Sequence, residues 1–275
     1  MADDPQLYQI VYDDATLAGR DPDFQILDNL DNLRPDWSEY WPIRRFLLSS
    51  PIDDSTYYGF FSPKFFQKTG LHAKSIKSLL QDRDEDVVIF SPYLEVSALS
   101  LNQIEQGNNA HPNLLGLFAE LFPRKNGAPA LVQDTLTTIY SNYFVAKGRF
   151  WRAWLRKCEP IFQVAEARHS AIGLRLCQST IHDDKPGYQL KVFLIERIAG
   201  LMLADDATWT RAAPLAYQMP LYRPQYEPHR DMLIFLDLLK SAARRTGEYE
   251  YYVKTYVRVR KNVRALLLGS AEIGQ

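Results

Sequence analysis

The sequence is poor in cysteine and contains no long apolar run. Only Cys158 and Cys177 occur among its 275 residues, which excludes a disulfide framework and a zinc site built mainly of thiolates. Because no stretch of about 18 apolar residues is present, we expect no transmembrane helix. The first residues also lack the basic start and apolar centre of a signal peptide. Together these absences predict a cytoplasmic protein with reduced thiols.

An excess of charge of either sign is also missing. The formal net charge is −1, with 32 basic and 33 acidic residues. Dedicated nucleic-acid binders usually carry a basic excess, so we expect no nucleic-acid partner. Phosphate-binding glycine loops of the P-loop or Rossmann form are absent, which argues against kinases, ATPases and dehydrogenases. Apolar residues make up 46% of the chain, enough for a folded core.

Two apolar runs close with the same tripeptide, Phe-Ser-Pro. They cover residues 57–64 and 86–93, and each reads as a strand that ends at its proline. A predicted helix at residues 73–80 separates them, and this strand–helix–strand order favours neighbouring parallel strands. Ligands of such sheets bind beyond the carboxyl ends of the strands. We therefore expect an α/β domain with its site at this edge.

The spacing of apolar residues, alternating in strands and helical in helices, predicts the other elements of the chain. This spacing predicts strands at residues 8–12, 24–27 and 138–146, and helices at residues 34–49, 150–162, 189–203, 231–245 and 248–268. We expect residues 1–228 to form the main domain and residues 229–275 a basic helical extension packed on it. Lys254, Arg258 and Lys261 share one face of the last helix. That pattern fits either contact with an anionic lipid surface or an ordinary solvated face.

The two Asp-x-Asp sequences are badly placed for metal binding. Metal-dependent transferases often hold a divalent cation with such a motif just after an apolar strand. Here Asp82-Arg83-Asp84 precedes its strand, and Asp21-Pro22-Asp23 lies between strands. Both sequences are better explained as charged residues of solvent-exposed loops than as metal ligands. We predict no metal ligands and leave a manganese or magnesium ion open as a cofactor.

Other charged residues are better candidates for chemistry. Lys64, with Lys68 one turn later, offers positive charge at a strand end that can neutralise a diphosphate without a metal; the alternative is an exposed lysine in a turn. Glu196 interrupts an apolar helix, so its carboxyl is either ion-paired or has a raised pKa that suits a general base. His111 at a predicted helix start fits anion binding or simple capping. Asp13 and the pair Asp28 and Asn29 follow strands, where they could contact a base or ribose or be solvated.

Four blocks carry a resemblance to a known family. They are YQIVYDD with LDNLDN, YYGFFSPKFFQKTGL, DVVIFSPYLEVSALSLNQIEQGNNAHPNL, and IYSNYFVAKGRFWRAWLRKCEPIFQVAE with LIERIAGLML. In order and character they resemble the short bacterial glycosyltransferases of capsule and lipopolysaccharide biosynthesis, over residues 8–203. The resemblance implies a GT-A-like fold, a mixed and mostly parallel sheet flanked by helices. It also implies transfer of sugar from a nucleotide-sugar donor to a glycan or lipid-linked acceptor, near the inner membrane surface.

The resemblance also points to particular residues. Ser62-Pro63-Lys64-Phe65 stands where the family has His-Tyr-Arg-Arg, so the donor is not fixed by the match. A non-catalytic glycan- or protein-binding module on a degenerate form of the fold is the competing interpretation, and the oligomeric state is open. By position the resemblance points to Tyr58, Gly59, Ser62, Lys64, His111, Asn142, Lys147 and Glu196. We predict Glu196 and His111 as catalytic residues, and as donor-binding residues the other six together with Asp13, Asp28, Asn29 and Lys68.

Overall fold

The computed structural model describes residues 4–124, 130–182 and 185–273. Its strands are β1 (Gln6–Val11), β2 (Gln25–Asp28), β3 (Tyr57–Phe61), β4 (Val87–Ile89), β5 (Phe144–Lys147), β6 (Ser179–His182), β7 (Lys185–Gln189) and β8 (Arg211–Ala212). Its α-helices are α1 (Asp14–Ala18), α2 (Tyr40–Ser49), α3 (Phe65–Thr69), α4 (Ala73–Leu80), α5 (Leu94–Ala98), α6 (Gln103–Ala110), α7 (Leu114–Leu121), α8 (Gly148–Ala167), α9 (Ala171–Leu176), α10 (Leu190–Glu196), α11 (Ile198–Asp205), α12 (Arg230–Thr246) and α13 (Tyr249–Ile273). Short 3-10 helices cover Pro35–Trp37 and Pro224–His229. Over the described residues, no helix is both long and apolar enough to cross a membrane.

A mixed sheet with the strand order β2-β1-β3-β5-β4-β8 forms the centre of the described structure. β1 pairs in parallel with β2 and β3, and β4 pairs in parallel with β8. β5 runs antiparallel to both of its neighbours, β3 and β4. The predicted α/β class with a mixed, mostly parallel sheet is therefore confirmed. A separate hairpin of β6 and β7 lies outside this sheet.

The two Phe-Ser-Pro turns lie at the same edge of the sheet, but their strands are not neighbours. β3 and β4 point the same way, and β5 lies between them in the opposite direction. The prediction of directly paired strands was therefore wrong. A reversed strand begins where its neighbours end, so the residues just before β5 lie between the two turns. The backbone N–H of Tyr140 donates to Ser91 Oγ at 3.0 Å, and that of Phe90 donates to the Tyr143 carbonyl at 2.9 Å.

Three predicted elements are shorter or divided in the structure. The strand expected over residues 138–146 covers only Phe144–Lys147, because Ser141 and Asn142 have φ angles of 55° and 53° and form a bend. The helix expected over residues 34–49 is interrupted at Ser38, where φ is 46°. The helix expected over residues 189–203 is divided at Arg197 into α10 and α11. By contrast, α4 covers the predicted residues 73–80, since its apolar side chains follow helical spacing.

Both faces of the sheet are covered by apolar side chains. Successive residues of β3 alternate between the two faces: Tyr58 and Phe60 join one buried cluster, and Tyr57 and Phe61 join the other. α8 packs on the first face, where the rings of Phe144 and Trp151 stack with centroids 4.5 Å apart. The Trp151 indole N–H also donates to the Tyr58 carbonyl at 2.9 Å. These contacts hold β3 and β5 in place, and with them the residues that follow β3 and precede β5 at the same edge of the sheet.

The last two helices pack on α5 through a third apolar cluster. The Tyr256 hydroxyl of α13 donates to the Ala98 carbonyl at 2.9 Å. Lys240 of α12 is buried and donates to the carbonyls of Ser97 and Ser100 at 2.8 and 3.1 Å. The basic surface of this extension is therefore smaller than the sequence indicates, although Lys254, Arg258 and Lys261 are exposed.

A close backbone contact at the start of α8 predicts a large effect of a small substitution. A Cβ atom on Gly148 would lie 2.0 Å from the carbonyl oxygen of Asp53. Gly148→Ala is therefore expected to lower the free energy of unfolding by about 1–3 kcal/mol, because the backbone must shift. Urea unfolding measures this change. Gly269→Ala in α13 is the matched control, since nothing lies within 4 Å of its Cβ position; equal effects of the two substitutions would contradict the prediction.

Candidate functional site

A cavity of about 770 Å³ opens at the carboxyl edge of the sheet. Its walls come from the end of β1, residues 35–40, the turn after β3, the bend before β5, and α10. The charged residues of the walls are Asp13, Asp36, Glu39, Lys64, Lys68 and Glu196, and the aromatic ones are Tyr12, Trp37, Tyr40, Tyr188 and Phe193. Six of the predicted site residues line this cavity: Asp13, Ser62, Lys64, Lys68, Asn142 and Glu196.

The bend before β5 contacts the charged groups from both sides of the cavity. The backbone N–H of Ser141 donates to Glu196 Oε1, and the Ser141 hydroxyl accepts from Lys68 Nζ at 3.1 Å. The Asn142 amide donates to Glu39 Oε2 at 3.3 Å. Left-handed φ angles are uncommon for residues other than glycine, and they cluster at functional sites. The bend thus brings two carboxylates and a lysine to one place.

Glu39 is the residue that the sequence analysis missed. It lies next to Ser38, immediately before α2, within the helix predicted over residues 34–49. Burial raises the pKa of Glu39 to about 7, and repulsion by Glu196 adds to the shift. The hydrogen bond from the Asn142 amide, the charge of Lys68 and the nearby Ser62 hydroxyl oppose it. The flanking aromatic residues in WSEYW are the signal that indicates a carboxyl in apolar surroundings.

An ion-pair cluster supports the wall beside Glu39. The carboxylate of Asp36 accepts from Arg34 Nε at 2.9 Å and from Lys191 Nζ at 2.5 Å. Lys191 is fully buried, with its ammonium 4.1 Å from the Trp37 ring centroid. These contacts hold the pKa of Asp36 down to about 2 against the opposing effect of its burial. Asp36 is therefore ionised at neutral pH and stabilises the wall through its ion pairs. The Glu39 carboxyl, by contrast, gains or loses its proton near neutral pH.

Asp13 lines the cavity, but its carboxylate is engaged locally. It caps α1 by accepting from the Thr16 backbone N–H at 2.7 Å, and these hydrogen bonds lower the pKa of Asp13. Asp28, at the end of β2, is exposed and accepts from the Leu30 N–H at 2.9 Å. Asn29 is buried and does not line the cavity. Its side-chain amide donates to Asn32 Oδ1 at 3.3 Å, and Asn32 does line the cavity.

Tyr58 and Gly59 lie within β3 and take part in the packing of the core. The Tyr58 hydroxyl accepts from the Asp53 N–H at 3.1 Å. A Cβ atom on Gly59 would lie 2.9 Å from a methyl carbon of Val145 on the neighbouring strand. Gly59 therefore permits close strand packing, and neither predicted residue lines the cavity.

Lys147 and His111 lie away from the positions predicted for them. Because β5 is reversed, Lys147 ends that strand at the opposite edge of the sheet, where its ammonium contacts Asp84 at 2.6 Å. His111 follows the last turn of α6 and does not begin a helix. Its ring is buried and stacks on Phe193 with centroids 3.5 Å apart. A helix C-terminus carries partial negative charge, which does not favour an anion.

The carboxylates of the chain do not gather into a metal site over the described residues, where no group of three or more His, Cys, Asp or Glu side chains fits an ion. Asp84 lies at the edge opposite the cavity and pairs with Lys147. Asp21 accepts from the Ala73 N–H at the start of α4 at 3.0 Å. Neither of the two Asp-x-Asp sequences therefore lies at the cavity.

Comparison with protein-family models, curated protein sequences and solved structures gave no match to this chain. The functional interpretation therefore rests on the cavity and its chemistry.

The raised pKa of Glu39 predicts a pH-dependent loss of stability. The folded-state pKa is about 7 against an ordinary value of 4.5, so the carboxyl favours the folded state when protonated and loses this contribution as the pH rises through 7. Relative to the native protein, Glu39→Gln should therefore gain about 1–3 kcal/mol of unfolding free energy between about pH 5 and pH 8. Urea unfolding across this range measures the difference. The exposed Glu248→Gln is the control, and a native-like pH dependence in Glu39→Gln would refute the prediction.

Proposed function

We propose that the cavity binds a nucleotide-sugar donor and that the protein is a glycosyltransferase with a GT-A-like fold. One observation carries the proposal: a carboxyl group with a near-neutral pKa, Glu39, shares the cavity with Lys64 and Lys68. A general base works best when its pKa lies near the working pH. Two lysines beside it can offset the negative charge of a diphosphate leaving group.

The size and position of the cavity support a ligand of this class. Small-molecule sites occupy about 300–1,000 Å³, and this one measures about 770 Å³ at the carboxyl edge, where ligands of open α/β sheets bind. Tyr12 and Tyr188 line the cavity and are partly exposed, so their rings are available to a base or sugar. Asn142 also lines the cavity, and its Oδ1 has no hydrogen-bond partner over the described residues.

The proposed reaction assigns a task to each charged group. The acceptor hydroxyl gives its proton to Glu39 as its oxygen forms a bond to the anomeric carbon of the donor sugar. The bond from that carbon to the diphosphate breaks, and the nucleoside diphosphate leaves with the electron pair. Lys64 and Lys68 stabilise the charge that develops on it. Glu196, held by the Ser141 N–H, keeps the Glu39 proton affinity high in the free protein.

The acceptor belongs to the same proposal, as a glycan or lipid-linked sugar of bacterial surface polysaccharide. Exposed Lys254, Arg258 and Lys261 on α13 support a position beside an anionic membrane surface. They form a modest patch, since Lys254 also pairs with Glu250 at 2.6 Å.

Donor binding is expected to depend on the two lysines. One class among UDP-, GDP-, CMP- and TDP-linked sugars should stabilise the protein by about 2.7 kcal/mol at 100 times its dissociation constant. Lys64→Ala and Lys68→Ala should each weaken this binding about tenfold or more, through loss of a charged contact. Calorimetric titration with and without manganese measures the affinity. Lys74→Ala is the control, because the Lys74 side chain is 81% exposed on α4. Absence of binding by all four donor classes would defeat the proposal.

Turnover is expected to depend on Glu39. Glu39→Gln should lower the rate of sugar transfer by about 10²–10⁴-fold and leave donor affinity unchanged, since the amide keeps the shape of the side chain. The native rate should rise with pH through about 7 as the base loses its proton. Release of the nucleotide leaving group measures turnover, with Glu248→Gln as the control. Donor binding without turnover in the native protein would favour a non-catalytic binding module instead.

A further inference from the structure

Helix α12 is apolar on both of its sides. Its inner side packs in the third apolar cluster through Leu233, Leu236 and Leu239. Its outer side carries Phe235 and Leu238, and each of these side chains is 49% exposed. The outer side of a surface helix normally carries polar residues, whereas a helix that is apolar all round is normally buried. The outer side of α12 therefore has the composition of a covered surface.

The outer residues of α12 follow the spacing of a helix-pairing seam. They are Asp231, Phe235, Leu238, Ala242 and Arg245, separated by alternating steps of four and three residues. This is the heptad spacing that keeps one stripe of a helix against a partner helix. These residues are named the outer stripe. Its middle is apolar, and its two ends carry opposite charges that are exposed and lie about 21 Å apart along the helix.

Buried polar contacts on the inner side of α12 fix the direction in which the outer stripe faces. Asp237 is completely buried and accepts from the Thr135 backbone N–H at 3.0 Å. Lys240 is also buried and donates to the carbonyls of Ser97 and Ser100. Rotation of the helix about its axis would break these hydrogen bonds, and buried charged groups without partners are costly. The helix therefore cannot cover the outer stripe by rotating.

We propose that the outer stripe binds the outer stripe of a second copy of this chain, with the two α12 helices antiparallel about a two-fold axis at Leu238. Asp231 and Arg245 lie seven residues to either side of Leu238, so this axis brings Asp231 of each copy beside Arg245 of the other. Phe235 of each copy then lies near the small side chain of Ala242. Dimers of identical chains commonly use one self-complementary surface in this way.

The charges of the outer stripe favour a second copy over an anionic lipid surface. The stripe carries one acidic and one basic residue, whereas anionic lipid surfaces attract clusters of basic residues. The same two charges complement each other when two stripes lie antiparallel. This inference concerns α12 alone and does not depend on the proposed sugar transfer.

Charge reversal at the ends of the outer stripe tests the pairing. Asp231→Arg and Arg245→Asp should each raise the dissociation constant of the dimer about tenfold, because two pairs of like charges then form in every dimer. An equimolar mixture of the two variants should recover the native affinity, since each opposed pair again has opposite signs. The doubly substituted chain should recover it for the same reason. Sedimentation equilibrium measures the constants, and native affinity in both single variants would overturn the antiparallel pairing.

The apolar middle of the outer stripe is tested separately. Leu238→Glu places two carboxylates at the two-fold axis and should raise the dissociation constant about 100-fold or more. Leu48→Glu is the matched control, because Leu48 is an exposed leucine on α2, and it should leave the constant unchanged. Thermal melting verifies that both variants are folded; if Leu238→Glu unfolds, the mixture of charge variants still decides the question. Native dimer affinity in folded Leu238→Glu would overturn the inference.

The native chain itself provides the last test. A chain that stays monomeric up to about 0.1 mM would overturn the inference, since even weak specific interfaces of standard size associate in the micromolar range. A monomer that binds vesicles of anionic lipid, and loses this binding in Leu238→Glu, would assign the outer stripe to a lipid surface instead. Neither outcome bears on donor binding, so the proposed function is tested independently.

Discussion

The candidate site depends on the left-handed bend at Ser141 and Asn142. Both residues have positive φ angles, and the bend turns the chain into β5, the reversed strand of the sheet. One backbone N–H, one hydroxyl and one side-chain amide from these two residues contact Glu196, Lys68 and Glu39. Asparagine tolerates this conformation better than most residues, whereas serine adopts it at some cost in energy. The tertiary contacts on both sides of β5 hold the bend in this form.

The electrostatics of the cavity follow from that arrangement. Burial of the Glu39 carboxyl, together with the negative charge of nearby Glu196, disfavours its ionised form, so the pKa of Glu39 rises. Lys68 and the surrounding hydrogen-bond donors limit this rise. The resulting balance leaves Glu39 divided between its two protonation states near neutral pH. A protein selected only for stability would avoid this arrangement, which is why such groups mark candidate sites.

Much of the framework was predictable from local sequence patterns. The α/β class, the helix α4 and the strand ends at the two Phe-Ser-Pro turns follow from periodicity and from the constraints of proline. The position of β5 between β3 and β4 was not predictable, because strand neighbours depend on contacts between residues far apart in the chain.

The dependence on contacts between residues far apart in the chain also explains which site residues could be predicted from the sequence. Ser62, Lys64 and Lys68 follow directly from the end of β3, and they line the cavity. Lys147 was misplaced because its position depends on the direction of β5. Glu39 was missed because helical periodicity does not reveal the break at Ser38, which sets the carboxyl against the cavity. Chain reversals and left-handed residues are decided by tertiary packing, and single-sequence patterns carry little information about them.

The strand order has a consequence for how the chain assembles. β3 and β4 emerge from synthesis before β5, yet β5 separates them in the finished sheet. Until residues 144–147 are made, both strands keep open backbone edges toward the gap, and such edges can pair wrongly or with another chain. The middle of the sheet is therefore completed only when β5 is made, after both of its neighbouring strands have been synthesised. A nascent chain that stops before this segment has neither a closed sheet nor the bend that organises the cavity.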